Sequence, residues 1–113
     1  MIRKTDDFTP RANLRGGEGT LEFHALLTPE ELAGKITLFS RVVMPPHSSI
    51  GYHPHLENVE YYCILKGEGI FQEPDGSVSK VVAGDVCLIQ RGQSHGLSNP
   101  GDAPLEMLAV IVE

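Results

Sequence analysis

The stretch His53-Pro54-His55-Leu56-Glu57-Asn58-Val59-Glu60-Tyr61-Tyr62-Cys63-Ile64-Leu65-Lys66-Gly67 decides how the rest of the chain is read. Two histidines one residue apart project from the same face of an extended segment, because strand side chains repeat with period two. A turn at Leu56-Glu57-Asn58 is expected to bring Glu60 back beside them on the neighbouring strand. Such a pair alone is weak evidence, since a strand edge can carry two solvated rings. The wider constellation strengthens it: Gly67-Glu68-Gly69, then Gly84-Asp85, then Gly92 three residues before His95, which would close the site. Three neutral imidazoles and one carboxylate suit a divalent manganese, iron, nickel, zinc or cobalt ion and suit calcium or magnesium poorly. His53, His55, Glu60 and His95 are therefore the expected ligands of one divalent transition metal.

Outward from this stretch, the chain has the texture of a turn-rich all-β domain. Twelve glycines and eight prolines in 113 residues, with 41% hydrophobic residues, describe a globular chain of short strands and leave room for one domain only. Leu21, Phe23 and Ala25 alternate with Glu22 and His24, the period of a half-buried strand, so His24 reads as exposed. Thr28-Pro29-Glu30-Glu31 carries a capping box for about one helical turn, stopped by Gly34. Strands are expected over Ile36 to Met44, Val59 to Leu65, Ile70 to Gln72, Val78 to Val82, Val86 to Ile89, His95 to Ser98 and Leu105 to Val112, separated by Pro, Gly, Asn and Asp clusters. Residues 1–18, polar and broken by Pro10 and Gly16-Gly17, read as an irregular N-terminal arm before a barrel domain at 19–113.

Composition also excludes partners. The net charge is −6 and no Lys/Arg run is interleaved with aromatics, so no nucleic acid is expected. No apolar stretch approaches the roughly 18 to 20 residues needed to cross a bilayer, so no membrane partner is expected either. Met1-Ile2-Arg3-Lys4 leads into no apolar segment of a secretory signal, which points to a cytoplasmic setting. Cys63 and Cys87, in apolar runs, read as two buried thiols, neither ligand nor nucleophile.

From Met44 to Asn99 the chain resembles the cupin superfamily. Its first motif stands here as His53-Pro54-His55, four residues, Glu60, six residues and Gly67; its second as Gly84, Gly92, His95 and Asn99. Gln90 takes the place of the usual proline. His47 takes that of the glycine six residues before the first histidine, which leaves the ligands in place but bears on the loop. The short segment between Gly67 and Gly84 is similar to that of small microbial single-domain cupins. The resemblance implies a double-stranded β-helix, or jelly roll, with ligands pointing inward and Gly67, Gly84 and Gly92 in turn conformations. By strand parity Glu60, Tyr62 and Ile64 share a face, which makes Tyr62 a pocket candidate; Arg41, on the strand before Pro45, is a candidate carboxylate clamp.

What the resemblance implies for function is a metal-dependent enzyme on a small polar metabolite such as an organic acid, keto acid or sugar. The reaction could be that of a decarboxylase, isomerase, lyase or dioxygenase, and oxalate decarboxylase-like sequences are near in motif style. The alternative is a non-catalytic cupin that binds or senses a small molecule. A homodimer is expected, because the arm is too polar to form a core layer alone and the strand from Leu21 needs an edge to pair with.

Overall fold

The computed structural model describes residues 1–113 and contains ten strands. They are β1 (Thr9–Ala12), β2 (Thr20–Ala25), β3 (Ile36–Met44), β4 (Ser48–Pro54), β5 (Val59–Lys66), β6 (Glu68–Gln72), β7 (Val78–Val82), β8 (Val86–Ile89), β9 (Ser94–Asn99) and β10 (Leu105–Val112). A six-stranded sheet in the order β1-β2-β3-β10-β5-β8 faces a four-stranded sheet in the order β4-β9-β6-β7, with every pairing antiparallel. This is the jelly roll that the resemblance implies. No helix is long and apolar enough to cross a membrane.

Period-two alternation builds the interior. On β3 the residues Ser40, Val42 and Met44 are buried; on β10 the same holds for Leu105, Met107 and Ala109. Register then lines them up across the sheet: Val42 opposes Met107, which opposes Ile64, and one step along Ser40, Ala109, Tyr62 and Cys87 form the next row. Leu97 and Phe71 cover these rows from the other sheet. Burying each such side chain stabilises the fold by about 1.5–3 kcal/mol.

Three local expectations change. Residues 1–18 are not irregular throughout: β1 pairs with β2 of the same chain, Pro10 opposite Glu22, and a single 3-10 turn follows at Leu14–Gly16. All four residues of β1 are exposed, so no alternation marks it in sequence, and proline is tolerated on this edge strand. The edge at Leu21 is thus satisfied within the chain. His24 is buried, not exposed: alternation does turn it outward, but the first residues cover it, with the Thr5 carbonyl 3.0 Å from Nδ1 and the Phe8 ring 5.3 Å from its own. The histidine segment is a full strand, β4, and it belongs to the opposite sheet from β5, so Glu60 meets the histidines across the barrel and not from a neighbouring strand. The segment at Thr28 is one 3-10 turn, Pro29–Glu31, where the Glu31 carboxylate accepts the Thr28 N–H at 2.9 Å as the capping box requires.

The expected turn glycines are left-handed. Gly67, Gly84 and Gly92 have φ of +83°, +97° and +83°. His47 has φ +64°, so the loop retains the left-handed conformation usual for glycine although a Cβ is present.

Candidate metal centre

Each donor reaches the centre from a different piece of backbone. His53 lies near the end of β4 and directly opposes His95 at the start of β9. His55 lies one residue past β4, its backbone tied to the next turn by the bonds His55 N–H to Gln93 O, 2.8 Å, and Gly92 N–H to His55 O, 2.6 Å. Glu60 comes from the facing sheet, in a row with Ile111 and Ile89. Their ligand atoms lie within 4.8 Å of one another and all four side chains are buried.

Hydrogen bonds set which ring nitrogens face inward. His53 Nδ1 donates to the Gly51 carbonyl at 2.7 Å and His55 Nδ1 to the Asn58 side-chain oxygen, so in the neutral rings both Nε2 atoms are lone-pair donors, and a proton on His55 Nε2 bonds to Glu60 instead. His55 Nε2 then stands 2.9 Å from His95 Nε2 and 2.9 Å from Glu60 Oε1, and His95 Nε2 stands 3.3 Å from the same oxygen. Converging lone pairs repel unless a cation lies among them. Donors about 2.0–2.1 Å from one ion are roughly 2.8–3.4 Å apart at octahedral or tetrahedral angles, which covers the spacings of His55, His95 and Glu60 here. The residues present fit a divalent transition metal.

The charge states of Glu60 and His53 agree with that use, and His55 would have to release its proton to the ion. Burial pushes the Glu60 carboxyl up, but hydrogen bonds from His55 and His95 outweigh it and hold Glu60 below the usual carboxylate range, hence ionised. Burial lowers His53, favouring the neutral ligand form, whereas the bond to Glu60 raises His55. Burial, with Glu60 nearby, keeps the Tyr62 hydroxyl well above its ordinary range and therefore protonated.

A cavity of about 280 Å³ opens over the cluster, lined by His53, His55 and Glu60 but not by the deeper His95. Tyr62 and Asn58 line it, with Leu38, Val42, Met107 and Ile111 as apolar wall. It lies just below the roughly 300–1,000 Å³ usual for small-molecule sites. Tyr62, whose ring centre is 5.3 Å from that of His95, thus occupies the position that strand parity assigns it.

Arg41 does not reach this cavity. It lies between Ser40 and Val42, both buried inside, so it points outward and pairs with Glu106 at 2.8 Å. The arginines of the cavity are Arg11 and Arg15, from the N-terminal arm. Parity along β3 would have excluded Arg41; no local signal marks Arg11 or Arg15, because the arm reaches the cavity only through tertiary packing. The thiols are both free, Cys87 buried and Cys63 half-buried, and burial pushes Cys87 up to about 11.

Comparison with known proteins bears on this arrangement. The profile described as "Cupin domain" matches residues 40–111. The oxalate-binding protein of Thermotoga maritima is 42% identical over 99% of this chain and 93% of its own length. A crystal structure of a predicted oxalate decarboxylase from Thermotoga maritima superposes with a TM-score of 0.90 at 42% identity, covering 99% of this chain and 98% of that one. A cupin 2 conserved barrel domain protein from Salinispora arenicola superposes with a TM-score of 0.80 at 25% identity, over 100% of this chain and 88% of that one.

Proposed function

The chain belongs to the cupin family, and within it we propose a protein that holds one divalent transition metal through His53, His55, Glu60 and His95 and binds a small carboxylate there. The carrying observation is the convergence of four donor atoms within 4.8 Å at the floor of a cavity of about 280 Å³. The relative named for oxalate binding makes oxalate the first compound to test. When bound, the metal supplies Lewis acidity and coordination positions open to ligand oxygens. The chain supplies the rest: Gly51 and Asn58 orient two imidazoles, Glu60 offsets part of the ion's charge, and apolar side chains on the wall lower the local polarity, so charge interactions there are stronger than in bulk.

Binding without conversion is the leading reading because the cavity wall holds one carboxylate, Glu60, already engaged by His55 and His95. No second carboxyl group lines the cavity to move protons on a ligand. The second reading is an enzyme acting on an organic acid, keto acid or sugar; it draws on Tyr62, whose protonated hydroxyl would be the proton donor. Elemental analysis of untagged protein, then oxalate titration followed by product analysis, tests both. Near-stoichiometric metal and oxalate that binds unchanged support the first reading, and released product supports the second. Protein that takes up no transition metal overturns both.

Two further points belong to the same proposal. Two free thiols suit a reducing, cytoplasmic setting. A homodimer would form through the outer face of the six-stranded sheet, where Tyr61 opposes Leu88 and Cys63 opposes Val86, with Tyr61, Leu65, Val86 and Leu88 all exposed. The Arg41–Glu106 pair on the same face offers both signs of charge to a second copy. Light scattering at micromolar concentration decides it: a mass near the 12.3 kDa of one chain overturns the dimer.

A further inference from the structure

The cavity wall carries more positive charge than the protein around it answers. Its basic residues are Arg11 and Arg15, its acidic residue is Glu60, and that carboxylate is taken by the histidines. Three of the nine Lys and Arg side chains, Arg3, Arg41 and Lys80, pair with a glutamate, and Arg11 and Arg15, both exposed, are the two that line the cavity. Neither cavity arginine has such a partner. A guanidinium stays charged and presents five N–H donors, so two of them left without an acid at one small cavity mark a place for an anion.

The backbone is strained to put them there. Asn13 and Arg15 have φ of +51° and +55°, a conformation that asparagine tolerates and arginine rarely adopts. The turn is locked from both sides: the Asn13 side-chain amide donates to Gly17 O at 3.1 Å, and the arm presses so closely on β4 that a Cβ on Gly51 would lie 1.9 Å from the Arg15 carbonyl oxygen. That contact sits two residues before the ligand His53. Arg11 is held differently, with its guanidinium 4.5 Å from the centre of the Phe23 ring. Strain maintained by its surroundings is a recurrent mark of functional positions.

From these observations we infer that Arg11 and Arg15 form a clamp that makes the cavity selective for dicarboxylates over monocarboxylates of the same size. The inference rests on the carboxylate reading above and specifies it. Held at the metal by one carboxylate, a dicarboxylate keeps a second full charge for the arm, which guanidinium groups can meet through paired hydrogen bonds; chelated through both, it still has two free carboxylate oxygens to offer them. A ligand with an alcohol in place of the second carboxylate leaves both arginines unanswered.

Calorimetric titration of oxalate and of glycolate into the full-length protein loaded with manganese(II) tests this. Wild type should bind oxalate more tightly than glycolate. Arg11→Gln and Arg15→Gln should each weaken oxalate about tenfold, and the double variant about a hundredfold, while glycolate changes by less than about threefold and metal content stays the same. Arg11→Lys, which keeps charge but not the planar fork, should fall between wild type and Arg11→Gln. Oxalate affinity within about twofold of wild type in the double variant overturns the clamp alone, as does a parallel fall for both ligands, which a purely structural role of the arm would produce. Metal-loaded wild type that binds neither compound overturns the clamp together with the carboxylate reading.

Discussion

The two ends of β9 bury a polar side chain each, and the contrast between them separates structure from function in this barrel. At one end Asn99, 1% exposed, has every partner it needs: its amide donates to the carbonyls of Met44, Pro45 and Ala103 at 2.9–3.2 Å, and its oxygen accepts the Gly101 N–H at 3.2 Å. At the other end His95, fully buried, has an unpaired Nδ1 and an Nε2 that faces a second imidazole and a carboxylate. Satisfied burial of this kind joins loops, here β3 to the segments around β9, and rigidifies them. Converging donors that face one another are explained by what they can hold. Burial of a polar residue is therefore not itself a mark of function; the balance of its partners is.

The largest expected effect lies at the His95 end. Alanine in place of His53, His55, Glu60 or His95 should take bound metal from near one equivalent to near zero by elemental analysis, because each loss removes a bond and the preorganised set. Wild-type metal content in all four variants would break the comparison. Asn99→Ala should leave the metal stoichiometry of the folded protein unchanged.

Acid should act on the same end next. Protons compete with the ion for three imidazoles, so the metal-induced rise in melting temperature should shrink steeply between pH 7 and pH 5. Metal-free stability should move much less over that window, since two shifts oppose. His53 is held below its ordinary 6.5 by burial, so the unfolded chain takes up its proton first and stability falls as the pH drops. His55 is raised by Glu60, so its contribution is full below 6.5 and is lost as the pH rises through its folded value. Melting curves with and without metal at the two pH values separate the effects.

At the Asn99 end the cost is one of stability. Asn99→Ala leaves buried carbonyls without donors and should destabilise the fold by about 1–3 kcal/mol in urea titration. A neutral result would mean that water replaces the amide. The smallest effect is expected nearby at His47, whose backbone N–H donates to Asn99 O at 2.8 Å. His47→Gly relieves a left-handed φ of +64° but gives the unfolded chain more freedom, so it should stabilise by less than about 1 kcal/mol. Destabilisation instead would indicate that the exposed His47–Asp102 contact contributes more than its geometry suggests.

Much of the barrel is legible one strand at a time. Ile36–Met44, Val78–Val82, Val86–Ile89 and Leu105–Val112 stand in the structure with the limits that alternation and turn residues assign them. The four donors meet as their spacing suggests. The arm fails this kind of reading because Thr9–Ala12 has no buried face, and its strand exists only through pairing with β2. His24 fails for a related reason: alternation gives its side of the strand correctly, and another part of the chain then covers that side.

The sequence by itself determined what depends on neighbouring residues: which side chains share a strand face, where turns demand a left-handed residue, and which donor types could hold a metal. Tertiary structure alone decided what depends on segments far apart in the chain. It placed Glu60 across the barrel from His53 instead of beside it, turned Arg41 out to Glu106, and brought Arg11 and Arg15 over the cavity through the close contact at Gly51. The physical reason is that the period of a strand is a local steric property, whereas the surface that each face meets is set by pairing and packing of the whole chain.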